Sequence, residues 1–289
     1  MTRVTLPSFA KVNLFLQILG KRPDGYHELV TLFERIDLAD ELTLEEIPGN
    51  RIDIRCDHPD VPTDETNLVA KAVERYRQAA DGWPQGIRIT LEKKIPVGAG
   101  LGGGSSNAAA ALQGLQVLSG GRLEQAKLQQ IARELGADVP FFLSPAPWAL
   151  GTGRGDLIQP LALKARLWHL LVYPRFLVPT KAVYRAFTLT PQNPDVRLLT
   201  ETLREKTQVR EINDLLFNSL EPTVEALYPA IRHVKAAIQS QGGCARPMVS
   251  GSGSTVMAVC ASEEEAQSAL RSMQSQAPEW QFFLASTRV

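Results

Sequence analysis

A glycine-rich segment near the middle of the chain has the composition of a phosphate-binding loop. Five glycines fall within positions 98–104, and Ser105, Ser106, Asn107 and an alanine run from Ala108 follow. Glycines let backbone N–H groups turn toward a ligand, and a helix N-terminus adds unpaired donors and partial positive charge. Such a site suits a di- or triphosphate, whereas the alternative is a hinge or tight turn. The three polar residues predict helix N-cap chemistry here, which favours phosphate binding.

Two common nucleotide motifs do not account for this loop. Gly98, Gly100 and Gly103 satisfy G-x-G-x-x-G. The dinucleotide-binding fold also requires a strand running directly into the first glycine and an acidic residue about 20 positions later. Residues 93–97 separate the loop from the preceding predicted strand, and Glu124 begins a helical pattern instead. A Walker A loop needs Gly-Lys-Ser or Gly-Lys-Thr after the glycines, and neither sequence is present.

Lys11 and Asn13 are candidates for contact with phosphate and hydroxyl groups. Residues 11–19 alternate as a strand does, and side chains two positions apart share one face of a strand. The pair therefore projects together. A solvated strand face is the alternative interpretation of the same pattern.

Three further residues are candidates for catalysis or substrate binding, namely Asp138, Tyr26 and His27. Asp138 lies just beyond Gly136, which ends a predicted helix, so it is either a turn residue or a catalytic carboxylate. Tyr26 and His27 follow a predicted turn at residues 21–25. An aromatic platform beside a donor and acceptor ring is suited to a pyrimidine, whereas packing and surface exposure are the ordinary alternatives.

Three motifs together resemble those of the GHMP kinases, the family of galactokinase and of homoserine, mevalonate and phosphomevalonate kinases. Residues 7–14 match P-x-x-A-K-x-N-L, residues 96–109 match the family's glycine motif, and residues 250–255, SGSGST, match its third motif. Two further segments, RPDGYH at 22–27 and PTKAVY at 179–184, are similar to the branch that acts on 4-diphosphocytidyl-2-C-methyl-D-erythritol. The resemblance covers nearly the whole chain.

The resemblance implies an ATP-dependent small-molecule kinase. The implied reaction transfers the γ-phosphoryl group of ATP to the 2-hydroxyl of that acceptor, giving the 2-phosphate and ADP, in the non-mevalonate isoprenoid pathway. ATP is the expected co-substrate and Mg²⁺ is expected with it, although no cluster of carboxylates marks metal ligands. A GHMP kinase acting on mevalonate or homoserine, and a non-catalytic nucleotide-binding module, are the alternatives.

The resemblance also implies roles for individual residues. Lys11 and Asp138 are the implied catalytic pair, with the aspartate near the acceptor hydroxyl. The implied nucleotide-binding residues are Pro96, Val97, Gly98, Ala99, Gly100, Leu101, Gly102, Gly103, Gly104, Ser105, Ser106 and Asn67. The implied substrate-binding residues are Asn13, Tyr26, His27, Thr180 and Tyr184, with the two tyrosines on opposite faces of cytosine. Asp156 stands where the family usually has glutamate.

The helices and strands that we expect to position these residues indicate an α+β protein of two domains. Residues 1–160 are the predicted mixed α/β nucleotide-binding domain, and residues 161–289 are a ferredoxin-like substrate-side domain, as in the two-domain GHMP kinase architecture. Hydrophobic spacing predicts a hairpin of strands 42–47 and 52–55 and a helix at 67–80, with Asn67 at its start as a candidate N-cap. It also predicts helices over roughly 197–240, and Ser262 with Glu265 forms a capping box.

Composition limits the partners that we expect. The chain has 31 Lys and Arg against 31 Asp and Glu, so its zero net charge gives no sign of nucleic-acid or membrane-surface binding. Cys56, Cys244 and Cys260 are odd in number and widely spaced, which argues against a disulfide framework or a zinc site and favours a reducing cytoplasm. We expect small-molecule partners and a monomer or weak homodimer.

Overall fold

The computed structural model describes residues 2–81, 83, 86–190, 194–205 and 209–288. The strands are β1 (Arg3–Lys21), β2 (His27–Ile47), β3 (Ile52–Cys56), β4 (Gly86–Glu92), β5 (Trp148–Thr152), β6 (Leu157–Leu161), β7 (Trp168–Tyr173), β8 (Phe217–Asn218), β9 (Met248–Val249), β10 (Val256–Cys260) and β11 (Gln281–Ser286). The helices are α1 (Leu68–Ala79), α2 (Gly103–Leu118), α3 (Gln125–Leu135), α4 (Val139–Leu143), α5 (Thr180–Ala186), α6 (Val196–Thr202), α7 (Val209–Asn213), α8 (Glu221–Leu227), α9 (Ala230–Gln239) and α10 (Glu263–Gln276). This content confirms the α+β class.

The chain divides into two compact units, each assembled from several segments. The first unit comprises Met1–Ala10, Ala39–Val97 and Gly102–Pro145, and the second comprises Lys11–Leu38, Gly98–Leu101 and Ala146–Val289. Strands β1 and β2 contribute residues to both units because the chain passes from one unit to the other within each strand. The domain boundary near residue 160 stays a prediction.

In the first unit, the sheet places β4 between β2 and β3. Residues Glu41–Ile47 of β2 pair antiparallel with β4, and β3 pairs with β4 in parallel. The predicted hairpin of residues 42–47 and 52–55 is therefore wrong. Alternating hydrophobicity predicts a strand but does not specify which strand it pairs with. Here β4, which follows α1 in the chain, lies between β2 and β3 and pairs with both.

Helices α1 and α2 of the first unit begin and pack for local reasons. The Asn67 side chain accepts a hydrogen bond from Val69 N at 2.9 Å and caps α1, as its position before the helix predicts. Within α2, Gly114 lets the helix approach the sheet closely, since a Cβ there would lie 2.5 Å from a methyl carbon of Leu44.

The second unit contains a four-stranded antiparallel sheet in the order β11-β7-β10-β9. Helices α9 and α10 contact this sheet. The side chains of Leu170, Val172, Val234, Ile238 and Met273 belong to the buried core of this unit. An antiparallel sheet combined with helices is consistent with the ferredoxin-like prediction.

The N-terminus of α10 confirms the Ser262 half of the predicted capping box. Ser262 Oγ accepts a hydrogen bond from Glu265 N at 3.2 Å. In return, a carboxylate oxygen of Glu265 accepts from Ala261 N at 3.2 Å. The first bond provides a partner for an N–H group in the first turn of the helix, whereas the second goes to the residue before the cap and not to Ser262 N as in a full capping box.

The predicted helical region of residues 197–240 is interrupted by a strand. Helices α6, α7, α8 and α9 occupy parts of it, but β8 pairs in parallel with β1, joining Phe217 to Phe15 and Asn218 to Leu16. Residues 206–208 of this region lie outside the described residues. A two-residue strand is too short for sequence periodicity to reveal.

Cys244 and Cys260 form a disulfide, so the expectation of no disulfide is wrong. An isolated β-bridge pairs the two residues and brings their Cα atoms to 4.2 Å. The two cysteines are 16 positions apart in the sequence, and this spacing by itself does not indicate a disulfide. The pairing arises from β-bridge geometry, which the cysteine pattern does not encode.

Candidate active site

The glycine segment forms a bare backbone turn that leads directly into α2. Gly98, Gly100 and Gly102 have φ angles of +64°, +79° and +73°, a region that residues with a Cβ rarely adopt. The helix begins at Gly103, with Gly102 as its N-cap. The first N–H groups of a helix have no partner within the helix, so this turn provides donors suited to a phosphate.

The start of α2 corrects the capping prediction. Ser105, Ser106 and Asn107 lie inside the helix, and no side chain caps it, because the left-handed Gly102 turns the chain into the helix earlier. The Ser106 N–H donates to Gly102 O at 2.9 Å and is therefore used within the helix. A nucleotide contact from Ser106 stays a prediction, and it would have to use the hydroxyl group.

In the second unit, the third motif holds the backbone of the first part of the glycine loop. Thr255 N donates to Ala99 O at 3.1 Å, and Ser250 Oγ donates to Gly100 O at 3.3 Å. A Cβ on Gly100 would overlap Ser250 O and lie 2.9 Å from Gly253 O. Because these atoms belong to the backbone, position 100 requires glycine.

The Lys11 ammonium group is fixed by a buried hydrogen-bond chain. Lys11, only 4% exposed, donates from Nζ to Asn13 Oδ1 at 2.6 Å, so the two side chains share a face as predicted. Asn13 Nδ2 donates to Thr31 Oγ1 at 2.7 Å, and Thr31 Oγ1 donates to Phe15 O at 2.7 Å. Thr31 thereby orients the amide that holds the lysine. Nothing in its sequence surroundings marks this role.

Asp138 lies at the N-terminus of the short helix α4, in the first unit. It is half-buried, with backbone angles in the right-handed helical region, and its carboxylate caps no N–H group of that helix. Capping therefore does not account for an aspartate at this position. Its catalytic role stays a prediction.

A buried carboxylate that the sequence analysis missed connects both ends of the glycine segment. Asp40 Oδ1 accepts from Lys94 N and Ile95 N, each at 2.8 Å. Asp40 Oδ2 accepts from Asn107 Nδ2 at 2.9 Å and forms an ion pair with Lys93 Nζ. The carboxylate thus joins the residues before the loop to the helix after it.

Two serines extend this network. Asn107 Nδ2 also donates to Ser8 Oγ at 2.9 Å, and Ser8 Oγ donates to Ser106 Oγ at 2.8 Å. These contacts cross 98 positions or more of sequence, and they orient the Ser106 hydroxyl inside the protein. The only sequence signal was a polar side chain at Asn107 in an alanine-rich helix.

In the second unit, the structure brings together rings from the two segments predicted to bind a pyrimidine. The His27 and Tyr184 ring centroids are 5.3 Å apart, and the ring of Phe187, which the sequence analysis missed, lies 6.1 Å from His27. Burial, together with the positive charge of Lys21, lowers the pKa of His27 below its usual value of about 6.5. The imidazole is therefore neutral at pH 7 and can both donate and accept.

Tyr26 presents an exposed ring beside an anchored arginine. The guanidinium carbon of Arg154 lies 4.8 Å from the Tyr26 ring centroid. Asp156 accepts from Arg154 N at 3.1 Å and from its Nη2 at 2.7 Å. The aspartate that replaces the usual glutamate therefore holds the arginine against the tyrosine.

The other predicted site residues have structural partners of their own. Thr180 Oγ1 lies 2.8 Å from Ser252 Oγ of the third motif, within hydrogen-bonding distance. Asn67, besides capping α1, donates from Nδ2 to Pro62 O at 2.6 Å. Both ends of the Asn67 amide are thus engaged, and its nucleotide contact stays a prediction.

The described residues offer neither a cluster of metal ligands nor a membrane-spanning helix. Over the ranges that the structure describes, no three or more His, Cys, Asp or Glu side chains are grouped so that they could hold a metal ion. Over the same ranges, no helix combines the length and apolar character that crossing a bilayer requires.

Comparison with known proteins places these features in a family. Residues 67–145 match the family model of the GHMP kinases N terminal domain, and residues 199–279 match that of the GHMP kinases C terminal. A protein from Desulfotalea psychrophila named 4-diphosphocytidyl-2-C-methyl-D-erythritol kinase is 41% identical over 89% of this chain and 86% of its own length.

Solved structures agree. A crystal structure of 4-(cytidine 5'-diphospho)-2C-methyl-D-erythritol kinase is 35% identical, with a TM-score of 0.81 over 98% of both chains. A homoserine kinase from Cytophaga hutchinsonii, 24% identical, shares the fold with a TM-score of 0.74 over 100% of this chain and 95% of its own. These matches confirm the two-domain kinase fold. The chain therefore belongs to the GHMP kinase family, among the 4-diphosphocytidyl-2-C-methyl-D-erythritol kinases.

Proposed function

We propose that this chain transfers the γ-phosphoryl group of ATP to the 2-hydroxyl of 4-diphosphocytidyl-2-C-methyl-D-erythritol, as a step of the non-mevalonate isoprenoid pathway. As a member of its family, the chain is an ATP-dependent small-molecule kinase. The observation that supports this acceptor best is the pairing of His27 with Tyr184 at 5.3 Å. The two rings come from segments far apart in sequence, both of which resemble the cytidyl-binding branch.

The chemistry of this ring group is suited to cytosine. A neutral His27 can donate to or accept from the edge of the base, and the rings of Tyr26 and Tyr184 offer apolar faces for stacking. Arg154, held by Asp156, adds positive charge beside Tyr26. We infer that this charge favours the diphosphate-bearing acceptor over an uncharged alcohol.

We infer that Lys11 stabilises charge during the transfer. Phosphoryl transfer depends mainly on positioning and electrostatic stabilisation, because negative charge spreads over the phosphoryl oxygens. The hydrogen bond to Asn13, itself held by Thr31, keeps the ammonium group in one place before the substrate arrives. Such a preorganised charge loses little free energy to reorganisation during the reaction.

We infer that Asp138 accepts the proton of the acceptor hydroxyl, or orients that hydroxyl for attack. A carboxylate oxygen can accept a hydrogen bond or a proton from a hydroxyl group. The phosphates of ATP would rest on the backbone of the glycine segment and the first turn of α2. Mg²⁺ would neutralise phosphate charge.

The two alternative functions have less support. A kinase for mevalonate or homoserine would use the lysine and the glycine loop but has no evident use for the Tyr26 and His27 segment. The homoserine kinase match, at 24% identity, concerns the fold alone. A non-catalytic nucleotide-binding module would need neither Lys11 nor Asp138.

An acceptor panel tests the proposed function. ADP release is measured with ATP and a series of sugar alcohols, including mevalonate and homoserine, and with methylerythritol carrying or lacking the cytidine diphosphate group. We expect turnover with the cytidyl acceptor and at least about 10²-fold lower kcat/KM without that group, since the ring group then has nothing to bind. Equal turnover with and without it would contradict the proposed acceptor.

His27→Ala should raise the KM for the cytidyl acceptor about tenfold or more while sparing the KM for ATP, because a hydrogen bond to the base is lost. In the wild-type enzyme, acidification below pH 6.5 should also raise the KM for the cytidyl alcohol. A protonated imidazole has no nitrogen left to accept a hydrogen bond from the base. That rise should be absent in the variant.

The matched control is His233→Ala, which changes an exposed histidine of α9. It should leave both KM values and their pH dependence unchanged. Equal loss of ATP and acceptor affinity in His27→Ala would argue against base recognition by His27.

A further inference from the structure

Asn218 occupies a buried position in the second unit, next to the strand that carries Lys11. It lies on β8, beside Leu16 of β1, and is only 5% exposed. The following residue reinforces this attachment, because Ser219 N donates to Leu16 O at 2.8 Å and Ser219 Oγ accepts from Ile18 N at 3.1 Å. Asn218 is thus anchored to the same strand as the catalytic candidate.

The Asn218 amide holds the third motif. Its Nδ2 donates to Val249 O and to Gly251 O, both at 2.8 Å, and its Oδ1 accepts from Leu220 N at 2.9 Å. Both N–H groups of the amide are therefore used on backbone carbonyls at the start of the loop. A side chain without these donors would leave buried carbonyls unpaired.

The segment that Asn218 holds lies against Lys11 and Asn13. Gly251 has a φ of +57°, and a Cβ there would lie 3.4 Å from Lys11 Nζ and 3.3 Å from Asn13 Oδ1. The Gly251 backbone therefore faces the ammonium group and the amide oxygen that binds it, with about the room of one methyl group between them. Displacement of this backbone would open space beside Lys11.

The same segment also supports the glycine loop. Ser250 Oγ donates to Gly100 O, and Thr255 N donates to Ala99 O. A shift of residues 250–255 would therefore disturb both the Lys11 side chain and the backbone of residues 98–101. Asn218 is connected to the Lys11 side chain and to the glycine loop through its hydrogen bonds to Val249 O and Gly251 O.

We propose that Asn218 is a positioning residue for phosphoryl transfer, which acts by holding Gly251 against Lys11 and Asn13. This inference rests on the proposed function for the role of Lys11. It assigns to Asn218 no contact with substrate or nucleotide. Its effect is to keep the ammonium group and the glycine loop in their reactive arrangement before ATP binds.

Asn218→Ala should lower kcat by about 10²-fold, because a displacement near 1 Å of a catalytic group has an effect of that size. The KM for the acceptor should change much less, since the ring group around His27 is untouched. Asn218→Asp should be similarly slow at pH 8, where a carboxylate offers no donor and faces two carbonyl oxygens. Burial raises the pKa of such a carboxyl, so acidification toward pH 6 restores one O–H donor and should recover part of kcat.

The control is Asn213→Ala, which removes an acceptor for Arg246 N in the same region of the chain. It should lower the melting temperature without lowering kcat. Melting curves are recorded for every variant, and Asn218→Ser, which keeps one donor, replaces Asn218→Ala if the latter does not fold. Wild-type kcat in the folded alanine or serine variant, or a pH-independent loss in Asn218→Asp, would overturn the inference.

The wild-type enzyme is assayed first, to separate this inference from the proposed acceptor. No wild-type turnover with the cytidyl alcohol would contradict that acceptor, and the variants are then compared with whichever alcohol of the panel is phosphorylated. Wild-type turnover combined with unchanged Asn218 variants would contradict only the positioning role.

Discussion

Asp138→Asn should reduce kcat by about 10²- to 10⁴-fold, the range that a general base contributes. The asparagine keeps the size and most of the hydrogen-bonding geometry of the carboxylate but cannot take a proton from the acceptor hydroxyl. The KM for ATP should remain nearly constant, because the glycine segment and the start of α2 are unchanged. Steady-state kinetics with varied ATP and varied acceptor measures both parameters.

Asp195→Asn is the matched control. Asp195 also precedes a helix, but its side chain caps α6 by accepting from Arg197 N at 2.8 Å, which an asparagine can equally do. We expect wild-type kcat for this control. A kcat for Asp138→Asn within a factor of two of wild type would remove Asp138 from the proposed mechanism.

Asp40→Ala should lower the free energy of unfolding by about 3–5 kcal/mol, the cost of removing one partner from a buried ion pair. Lys93 and Asp40 side chains are 4% and 0% exposed, so the remaining ammonium group would be buried with its charge uncompensated. The N–H groups of Lys94 and Ile95 would also lose their acceptor. Urea unfolding followed by circular dichroism measures the change.

Two further variants make this prediction specific. Asp53→Ala, in the same unit, removes a carboxylate that is 26% exposed and paired with Arg88 at 2.9 Å, so its loss should cost at most about 1 kcal/mol. Asp40→Asn combined with Lys93→Met removes both charges and should recover part of the stability lost in Asp40→Ala. Equal destabilisation by Asp40→Ala and Asp53→Ala would contradict the prediction that the buried pair of Asp40 and Lys93 contributes more to the free energy of unfolding than an exposed pair does.

The hydrogen bonds of Asp40 should affect ATP binding as well as stability. Asp40 bonds to residues on both sides of the glycine segment, and Asn107 connects it to Ser8 and Ser106. We therefore expect that a folded Asp40→Asn variant binds ATP more weakly than wild type. The conformation of the loop depends on these anchors as well as on its glycines.

Features that depend on neighbouring residues could be predicted from the sequence. The glycine segment adopts left-handed backbone angles because only glycine does so readily, and Asn67 and Ser262 cap helices as their positions indicate. The proximity of Lys11 and Asn13 follows from the two-residue period of a strand. In each case the interacting groups lie within a few positions of one another, so composition and spacing carry the information.

Features that depend on distant residues were decided by the tertiary structure. The pairing of β3 with β4, the disulfide between Cys244 and Cys260, the partners of Asp40, and the bonds from Asn218 to Val249 and Gly251 all join segments 16 or more positions apart. The start of α2 belongs to this group as well, since the hydroxyl of Ser106 points to Ser8 instead of capping the helix. Burial and hydrogen-bond satisfaction select these partners in three dimensions, and a linear pattern of residue types does not contain that choice.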